Sequence, residues 1–426
     1  MCLALVSLED RSKASCEGVL RPHSLAEIGA STMSAAKIDI DDYFGTTGDI
    51  QIAFAEALNV QNRIRRWIAE EVQPHLSQWW QQGRTPDGMM AQMAGLGIFE
   101  TGVDPKAPGE RRPWAYGLAM QELERADSGL RTRASVQCGL VMHAIARFGD
   151  DAQRATWLSP LLRGETVGGF ALTEAGAGSN PKEMACWCQR KGEYWLLEGN
   201  KRWVTNADQA DLLVVWAKER DTEEIRGFIV PTTYPGVTRQ PISTHASMRL
   251  AAPWDVGLSA VRLPVTYCLA GAKGLQAPLA CITQARYAVV WGTIGAALDC
   301  FHEAMDFTQR RISFGRSLAH SQMIQELLVD MQSHIVAMEL RAVQLARLAA
   351  RDQLRYPQVA LAKRDNARAA LSVARIACEI LAAKGFELDS RSFRHMANLE
   401  SVDTYEGTYA VQTLIVGRDV TGLSAF

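Results

Sequence analysis

Five residues near the C-terminus, Thr404-Tyr405-Glu406-Gly407-Thr408, set a single carboxylate between an aromatic residue and a Gly-Thr step, ahead of the apolar run Val411, Leu414, Ile415 and Val416. A Glu-Gly pair marks a tight turn. A carboxylate presented on such a turn suits one general base facing a substrate. Earlier in the chain, Glu124 and Arg131 stand seven residues apart, the spacing of two helical turns. A continuous helix would put them on one face, and Ser128-Gly129 offers a break in it. An arginine near Asp127 also suits a surface ion pair, so spacing alone leaves Arg131 open.

The elements that must position these groups fall into regions. Residues 1–36 mix small, polar and charged types without periodicity and read as a disordered extension. Residues 37–166 are helical in pattern, with Leu58, Ile64, Trp67, Ile68 and Val72 at steps of three and four, and Tyr116 to Arg125 repeating the habit. Residues 167–273 carry short apolar runs, Tyr194-Trp195-Leu196-Leu197, Leu212-Leu213-Val214-Val215-Trp216 and Gly227-Phe228-Ile229-Val230, bounded by turn formers, as expected of a compact antiparallel β-domain. Helices return over 274–426, where Ile324, Leu328, Met331, Ile335 and Met338 form one stripe and Leu371, Ile376 and Ile380 mark another. Helix, strand, helix predicts a β-domain inserted between two helical ones.

Composition bounds the function. With 426 residues, 47% hydrophobic content and a net charge of -2, the chain can bury a large core, and no charge bias points to nucleic acid. Nine cysteines are scattered, only Cys186 and Cys188 are close together, and none of the eight histidines has a metal-ligand spacing, so reduced thiols, no metal and a reducing compartment are expected. No apolar run spans a bilayer, and the opening run Met1-Cys2-Leu3-Ala4-Leu5-Val6 is broken by Glu9, Asp10 and Arg11, so neither a signal peptide nor an integral membrane contact is expected.

Four ordered segments carry a family resemblance. The stretch Phe170-Ala171-Leu172-Thr173-Glu174-Ala175-Gly176-Ala177-Gly178-Ser179-Asn180 resembles the L-T-E-x-x-x-G-S-D signature of acyl-CoA dehydrogenases. Arg202-Trp203-Val204-Thr205-Asn206-Ala207 resembles their W-I-T-N segment, Arg311-Ile312-Ser313-Phe314-Gly315 with Gln322 their R-x-x-F-G and glutamine, and Tyr405-Glu406-Gly407-Thr408 completes the set. Glu122 to Arg131, Ser135-Val136-Gln137 and Leu140-Val141-Met142-His143 are similar to the glutaryl-CoA dehydrogenase branch in particular.

The resemblance implies an α+β, mostly α, acyl-CoA dehydrogenase-like fold with a C-terminal four-helix bundle. FAD is implied as cofactor, with Trp203 as an aromatic wall, and Leu172, Thr173, Gly178 and Thr205 near the ring. Arg311, Phe314 and Gln322 are implied at the nucleotide end, Gln322 about three turns past Arg311 if one helix carries both, with Ala383, Gly385 and Thr408 completing the cofactor contacts. No GxGxxG fingerprint follows a strand, which favours FAD in this fold over NAD in a Rossmann domain. A neighbouring subunit is implied to share the site, hence a homo-oligomer, a tetramer.

Glu406 is the implied base; the alternative site of related enzymes, one residue before Arg286, is Ala285 and cannot serve. Arg131 is implied to hold a distal carboxylate, with Glu124, Thr132, Ser179, Arg286 and Tyr405 also on the substrate. Two departures stand out: Ala382-Ala383-Lys384-Gly385 where relatives read Gly-Gly-x-Gly, with Lys384 as a compensating charge, and Asn180 in place of Asp. The expected activity is oxidative decarboxylation of glutaryl-CoA or a related dicarboxylyl thioester to crotonyl-CoA and CO2, with electron-transfer flavoprotein as acceptor, in the cytoplasm or, in a eukaryote, the mitochondrial matrix. Rivals are a biosynthetic relative using a carrier-tethered acyl group, a redox-neutral lyase, and a binding protein without flavin.

Overall fold

The computed structural model describes residues 55–103 and 112–425, and the structural statements that follow concern those residues. The expected extension over residues 1–36 lies outside them. α1 (Ala55–Trp67) runs into a π-helical turn (Ile68–Val72); Ile64, Trp67, Ile68 and Val72 are buried and Leu58 is half-buried. Short helices follow: α2 (Leu76–Gln82), α3 (Met89–Gly95) and α4 (Ile98–Gly102).

α5 (Pro113–Ala126) begins on a proline, whose missing N–H costs nothing in a first turn, and stops at Asp127. Asp127 is extended and its Oδ1 accepts from Gly129 N at 2.7 Å, starting α6 (Ser128–Ala134) one residue later. A single helix over Glu124 and Arg131 is therefore corrected to two helices joined by a capping residue. Asp127 spends its charge here and on Arg394, at 3.5 Å, and accepts from Asn398 at 2.9 Å, so it is no partner of Arg131. α6 passes into a π-helical segment (Ser135–Met142), then α7 (His143–Phe148) and α8 (Asp151–Leu162), which opens on a capping box at Asp150 and Gln153.

The middle of the chain forms an eight-stranded sheet of β1 (Gly168–Ala171), β2 (Trp187–Lys191), β3 (Tyr194–Val204), β4 (Leu212–Glu219), β5 (Ile225–Pro231), β6 (Val237–Pro241), β7 (Trp254–Pro264) and β8 (Cys268–Lys273). The strand order is β6-β7-β3-β2-β4-β5-β8, with β1 against β4. Pairing is mostly antiparallel, and β4 adds parallel contacts to β1 and β2. Leu197, Val204, Val215, Phe228, Val256 and Val261 fill its core. The β3–β7 register shifts between Lys201 and Val204, and this bulge carries Arg202 and Trp203.

The junction between helices and sheet is tied at the backbone. Gln137 Nε2 donates to the carbonyls of Leu161 and Thr166 at 3.0 and 2.8 Å, and its Oε1 accepts from Gly168 N at 2.8 Å. Asn206 donates to Arg133 O and Gly168 O, and Asp211 accepts from Val167 N at 2.8 Å.

The C-terminal region is built on α9 (Gln276–Arg310), packed against α5 and α11 (Tyr356–Leu381). α10 (Gln322–Ala350) buries Met331, Ile335 and Met338 but leaves Ile324 and Leu328 half-buried. Between α9 and α10 the chain turns through a hairpin, β9 (Ile312–Ser313) and β10 (Arg316–Ser317), over Phe314 (φ 51°) and Gly315 (φ 80°), the backbone signs of a type I′ turn. Arg311 and Gln322 thus sit on either side of a hairpin, which corrects the single helix expected for them. A 3₁₀ turn (Ala382–Phe386), α12 (Arg391–Thr404) and α13 (Tyr409–Thr421) complete the chain. The cysteines among the described residues are free thiols.

Ala382 ends α11 at φ 51°, ψ -132°, a backbone region that glycine occupies and a Cβ opposes. Such strain costs on the order of 1–3 kcal/mol, against about 0.4–1 kcal/mol for glycine's extra unfolded-state freedom. Ala382→Gly is expected to stabilise the protein by about 1 kcal/mol, seen as a raised thermal midpoint; an unchanged or lowered midpoint would show that the neighbours already relieve the strain.

Candidate active site

The carboxylate lies where α12 gives way to α13. Tyr405 is extended, Glu406 takes φ 55° and Gly407 φ 95°, so the chain reverses over two left-handed residues. Side chains from two helices hold that reversal. Arg286 Nε of α9 donates to Glu406 O at 2.7 Å, and Gln412 Nε2 of α13 donates to Glu406 O and Gly407 O at 2.9 and 3.1 Å. A Cβ on Gly407 would come within 2.5 Å of Gln412 Nε2, so this position needs glycine for space as well as for φ. Thr408 Oγ1 accepts from Val411 N at 3.2 Å and caps α13, which gives the hydroxyl a structural partner.

Glu406 Oε2 is enclosed and has no hydrogen-bond partner. Burial pushes its carboxyl above the usual range; Arg131, Lys363 and Arg286 oppose the rise and Glu124 adds to it. Arg286 is pulled down to about 10 by burial, with Glu406 holding it back.

Arg131 is completely buried on α6, and its Nε donates to Glu124 Oε2 at 2.6 Å. Its Nη2 donates to the Tyr405 hydroxyl, and Nη1 reaches Ser135 Oγ at 3.4 Å. Burial alone would weaken the charged guanidinium, but Glu124, then Tyr405 and Glu406, outweigh it and raise its pKa. Ser128 Oγ donates to the other oxygen of Glu124 at 2.9 Å, while Thr132 Oγ1 donates to Ser128 O and lies 3.4 Å from the Tyr405 hydroxyl. Gly292 on α9 makes room for the pair: a Cβ there would stand 2.1 Å from Glu124 Oε2 and 3.1 Å from Arg131 Nε. Glu124, Arg131, Thr132, Arg286, Tyr405 and Glu406 thus converge on one place, although they come from four segments of chain.

A second group of expected residues lies on the sheet. Trp203, at φ 63°, leaves 49% of its surface exposed, with the Arg202 guanidinium 4.9 Å from its ring centroid. Thr205 and Thr173 are half-buried, and Arg202 N donates to Thr173 O at 2.8 Å, so the bulge and the end of β1 are neighbours. Leu172 is buried and its carbonyl accepts from Lys201 Nζ at 3.0 Å. Gly178 and Ser179 are exposed, and a Cβ at Gly178 would meet nothing within 4 Å. An uncovered indole, a nearby hydroxyl and an open glycine loop fit a planar, polar-edged ring such as a flavin.

The third group does not join either cluster within this chain. Arg311, Phe314, Gln322 and Ala383 are exposed, Phe314 fully so at 103%. Gly385 is buried, and a Cβ there would meet Cys378 O at 2.9 Å, a packing reason for glycine. Lys384 donates to both oxygens of Asp389 at 3.1 Å and pairs with Glu387, so the compensating charge expected of it is already matched on the surface. Asn180 caps a short 3₁₀ turn (Pro181–Glu183), accepting from Lys182 N.

Sequence reasoning missed four contributors. Glu174, quoted only as part of a motif, accepts from Ala185 N and Cys186 N at 2.6 and 3.0 Å and pairs with Lys201 at 2.8 Å, shaping the loop that bears Gly178 and Ser179. Gln412 and Lys363 are fully buried beneath the Glu406 turn, and a polar residue on the apolar side of α11 or α13 was their available signal. Tyr116 is buried with an unpartnered hydroxyl 2.4 Å from where a Gly139 Cβ would be; burial, first of all, raises its pKa well above the phenol's usual value, and Glu406 adds to the rise.

Among known proteins, family profiles match in chain order: acyl-CoA dehydrogenase N-terminal domain over residues 55–165, middle domain over 169–260 and C-terminal domain over 272–421. A crystal structure of glutaryl-CoA dehydrogenase from Mycobacterium smegmatis is similar at 38% identity and TM-score 0.85, covering 91% of this chain and 99% of that one. A glutaryl-CoA dehydrogenase from the same organism in complex with FADH2 is similar at 36% identity and TM-score 0.84, covering 87% and 96%. The human mitochondrial short-chain specific acyl-CoA dehydrogenase is 27% identical over 360 residues, 83% of this chain and 87% of that protein. Three family domains matched in sequence order, on a fold of helices, sheet and helices, place the protein in the acyl-CoA dehydrogenase family.

Proposed function

We propose that the protein is an FAD-dependent acyl-CoA dehydrogenase of the glutaryl-CoA type, with Glu406 as base and Arg131 as the group that holds a distal carboxylate. The observation that carries this reading is the convergence of an unpartnered, enclosed carboxylate oxygen with a fully buried arginine that donates to the hydroxyl of the adjacent Tyr405. Glu406 takes the α proton of the thioester, and its raised pKa brings its strength closer to the task. FAD, when bound, supplies the acceptor for the hydride leaving the β carbon, and Trp203, Thr173 and Thr205 are the residues that would hold its ring. Leu172, Gly178 and Ser179 would flank ring and thioester. Arg311, Phe314, Gln322, Ala383, Gly385 and Thr408 remain proposed for the rest of the cofactor, the exposed ones through a neighbouring copy.

Arg131 makes its bonds through Nε and one N–H on each terminal nitrogen, so both Nη atoms retain an N–H for a substrate oxygen. A carboxylate held there is placed for loss as CO2 once the α,β bond is unsaturated, and protonated Glu406 can then return its proton to the resulting carbanion. Electron-transfer flavoprotein is proposed as the partner that accepts the electrons. Exposed Ile312, Phe314, Met323 and Phe386 are consistent with burial against further copies, for which a tetramer is proposed. No helix among the described residues is long and apolar enough to cross a membrane, and the cytoplasm, or the mitochondrial matrix in a eukaryote, is the proposed setting.

A second reading has one observation in its favour: Glu124 already matches the charge of Arg131, so Arg131 can be structural and the substrate an uncharged short acyl thioester. Two experiments separate the readings.

Glu406→Gln is expected to retain fold and flavin while slowing substrate-driven flavin bleaching by roughly 10²- to 10⁴-fold or more in rapid mixing. In the wild type the same rate falls as pH drops, because the base must be ionised, with a midpoint above the ordinary carboxylate range. Near-normal bleaching in the variant would remove Glu406 as base.

Arg131→Met combined with Glu124→Gln avoids leaving a lone buried charge. It should lower kcat/KM for glutaryl-CoA more than for butyryl-CoA, by on the order of 30- to 4000-fold for a lost charge-assisted pair worth about 2–5 kcal/mol. Equal losses on both thioesters would favour the uncharged substrate.

A further inference from the structure

Lys363 lies in the N-terminal third of α11 and is 0% exposed. Burying an ammonium costs several kcal/mol unless it is paired, and no carboxylate among the described residues lies within ion-pair distance of Nζ. Its hydrogen bonds go to two backbone carbonyls, Asp403 O at 3.1 Å and Gly407 O at 2.9 Å. Those carbonyls stand on either side of Tyr405-Glu406, one in the last turn of α12 and one on the second residue of the reversal. A methionine would fill the same space without the desolvation cost, so the charge is retained against a penalty. What it faces, beyond the two carbonyls, is Glu406.

We infer that Lys363 is a positioning residue for Glu406: it ties both ends of the catalytic turn and sets a positive charge beside the carboxylate. The inference rests on the proposal that Glu406 is the base. Glu406 is faced by Glu124 on α5 and Arg131 on α6, by Arg286 on α9 and by Lys363 on α11, while Asp403 of α12 lies beside Lys363; Tyr405 and the Tyr116 phenol of α5 also lie in the same field. Arg131 is matched by Glu124, and Arg286 spends its Nε on the Glu406 carbonyl. Among the described residues neither Arg286 nor Lys363 has a carboxylate of its own at contact distance, and Lys363 is the one of the two that holds both ends of the turn. Burial draws its ammonium down to about 8, opposed by Glu406 and Asp403 and reinforced by Arg286 and Arg131.

The test uses holoenzyme carrying Lys363→Met or Lys363→Gln; the amide keeps two donors for the two carbonyls and gives up the charge. Three quantities are read: hydrogen exchange over residues 403–412, the infrared band of the protonated Glu406 carboxyl, identified by its disappearance in Glu406→Gln, and the pH profile of substrate-driven flavin bleaching. Removing a nearby positive charge raises a carboxyl's pKa, so in both variants the band's titration midpoint should move up by about one pH unit. The acid limb of the rate profile should move with it. Exchange over 403–412 should quicken in Lys363→Met and stay closer to wild type in Lys363→Gln. A folded Lys363→Gln enzyme with the wild-type midpoint overturns the inference, whether or not Lys363→Met folds. A band that moves while the rate profile stays put upholds the role of Lys363 toward Glu406 and removes Glu406 as the base.

Discussion

A carboxylate shut away from solvent is costly unless cations face it, and the packing of this protein around Glu406 is arranged to satisfy that condition. Arg131, Arg286 and Lys363 come from α6, α9 and α11, three helices far apart in sequence, and each reaches the turn only when its helix is docked. Gly292 shows how tight the requirement is, since α9 can approach the Glu124–Arg131 pair only where it carries no side chain. Buried ion pairs of this kind contribute little net stability compared with apolar residues of the same size. Their contribution here is to placement: a bundle packed in another register would strand a charge.

The helix break at Asp127 belongs to the same arrangement. By ending α5 and starting α6 a residue later, it turns Arg131 back toward Glu124, and Ser128 is placed to donate to the second carboxylate oxygen. Asp127 is itself fixed by Asn398 and Arg394 of α12, and Asn398 Oδ1 accepts from Met248 N at 2.7 Å in the sheet region. Next to Arg394 on α12, His395 lies 3.1 Å from Asp299 of α9, whose carboxyl is drawn down to about 2 by its hydrogen bond to His395 and by Arg391, overcoming burial. One helix therefore anchors both the break that orients Arg131 and the turn that presents Glu406.

Much of this was legible in the sequence because it is local. The helical stripe from Ile64 to Val72, the strand runs after Tyr194 and the Tyr405-Glu406-Gly407-Thr408 turn are patterns of neighbouring residues, and family order linked them into one fold. The break at Asp127 was half-visible in Ser128-Gly129. The Phe314-Gly315 hairpin was not foreseen between Arg311 and Gln322, because an aromatic residue in a left-handed turn carries a weak signal. Lys363 and Lys201 act through contacts to carbonyls or carboxylates far away in sequence, and no spacing rule reports such pairs. The exposed group around Phe314 and Ala383 joins neither cluster among the described residues, so no contact within one copy reports its role.

The knot of hydrogen bonds on residues 166–168 bears on mechanics. Gln137, Asn206 and Asp211 engage the carbonyl of Thr166, the N–H of Val167 and both polar groups of Gly168, so the joint between the helical region and the sheet has little torsional freedom left. A hinge requires a few residues free to absorb changes in φ and ψ, and these are not free. Breathing of the cleft then falls to side chains and to the Glu174–Asn180 loop instead of rigid-body swinging. Force or heat applied to one region is transmitted across the joint to the other, so the two should yield together as one cooperative body.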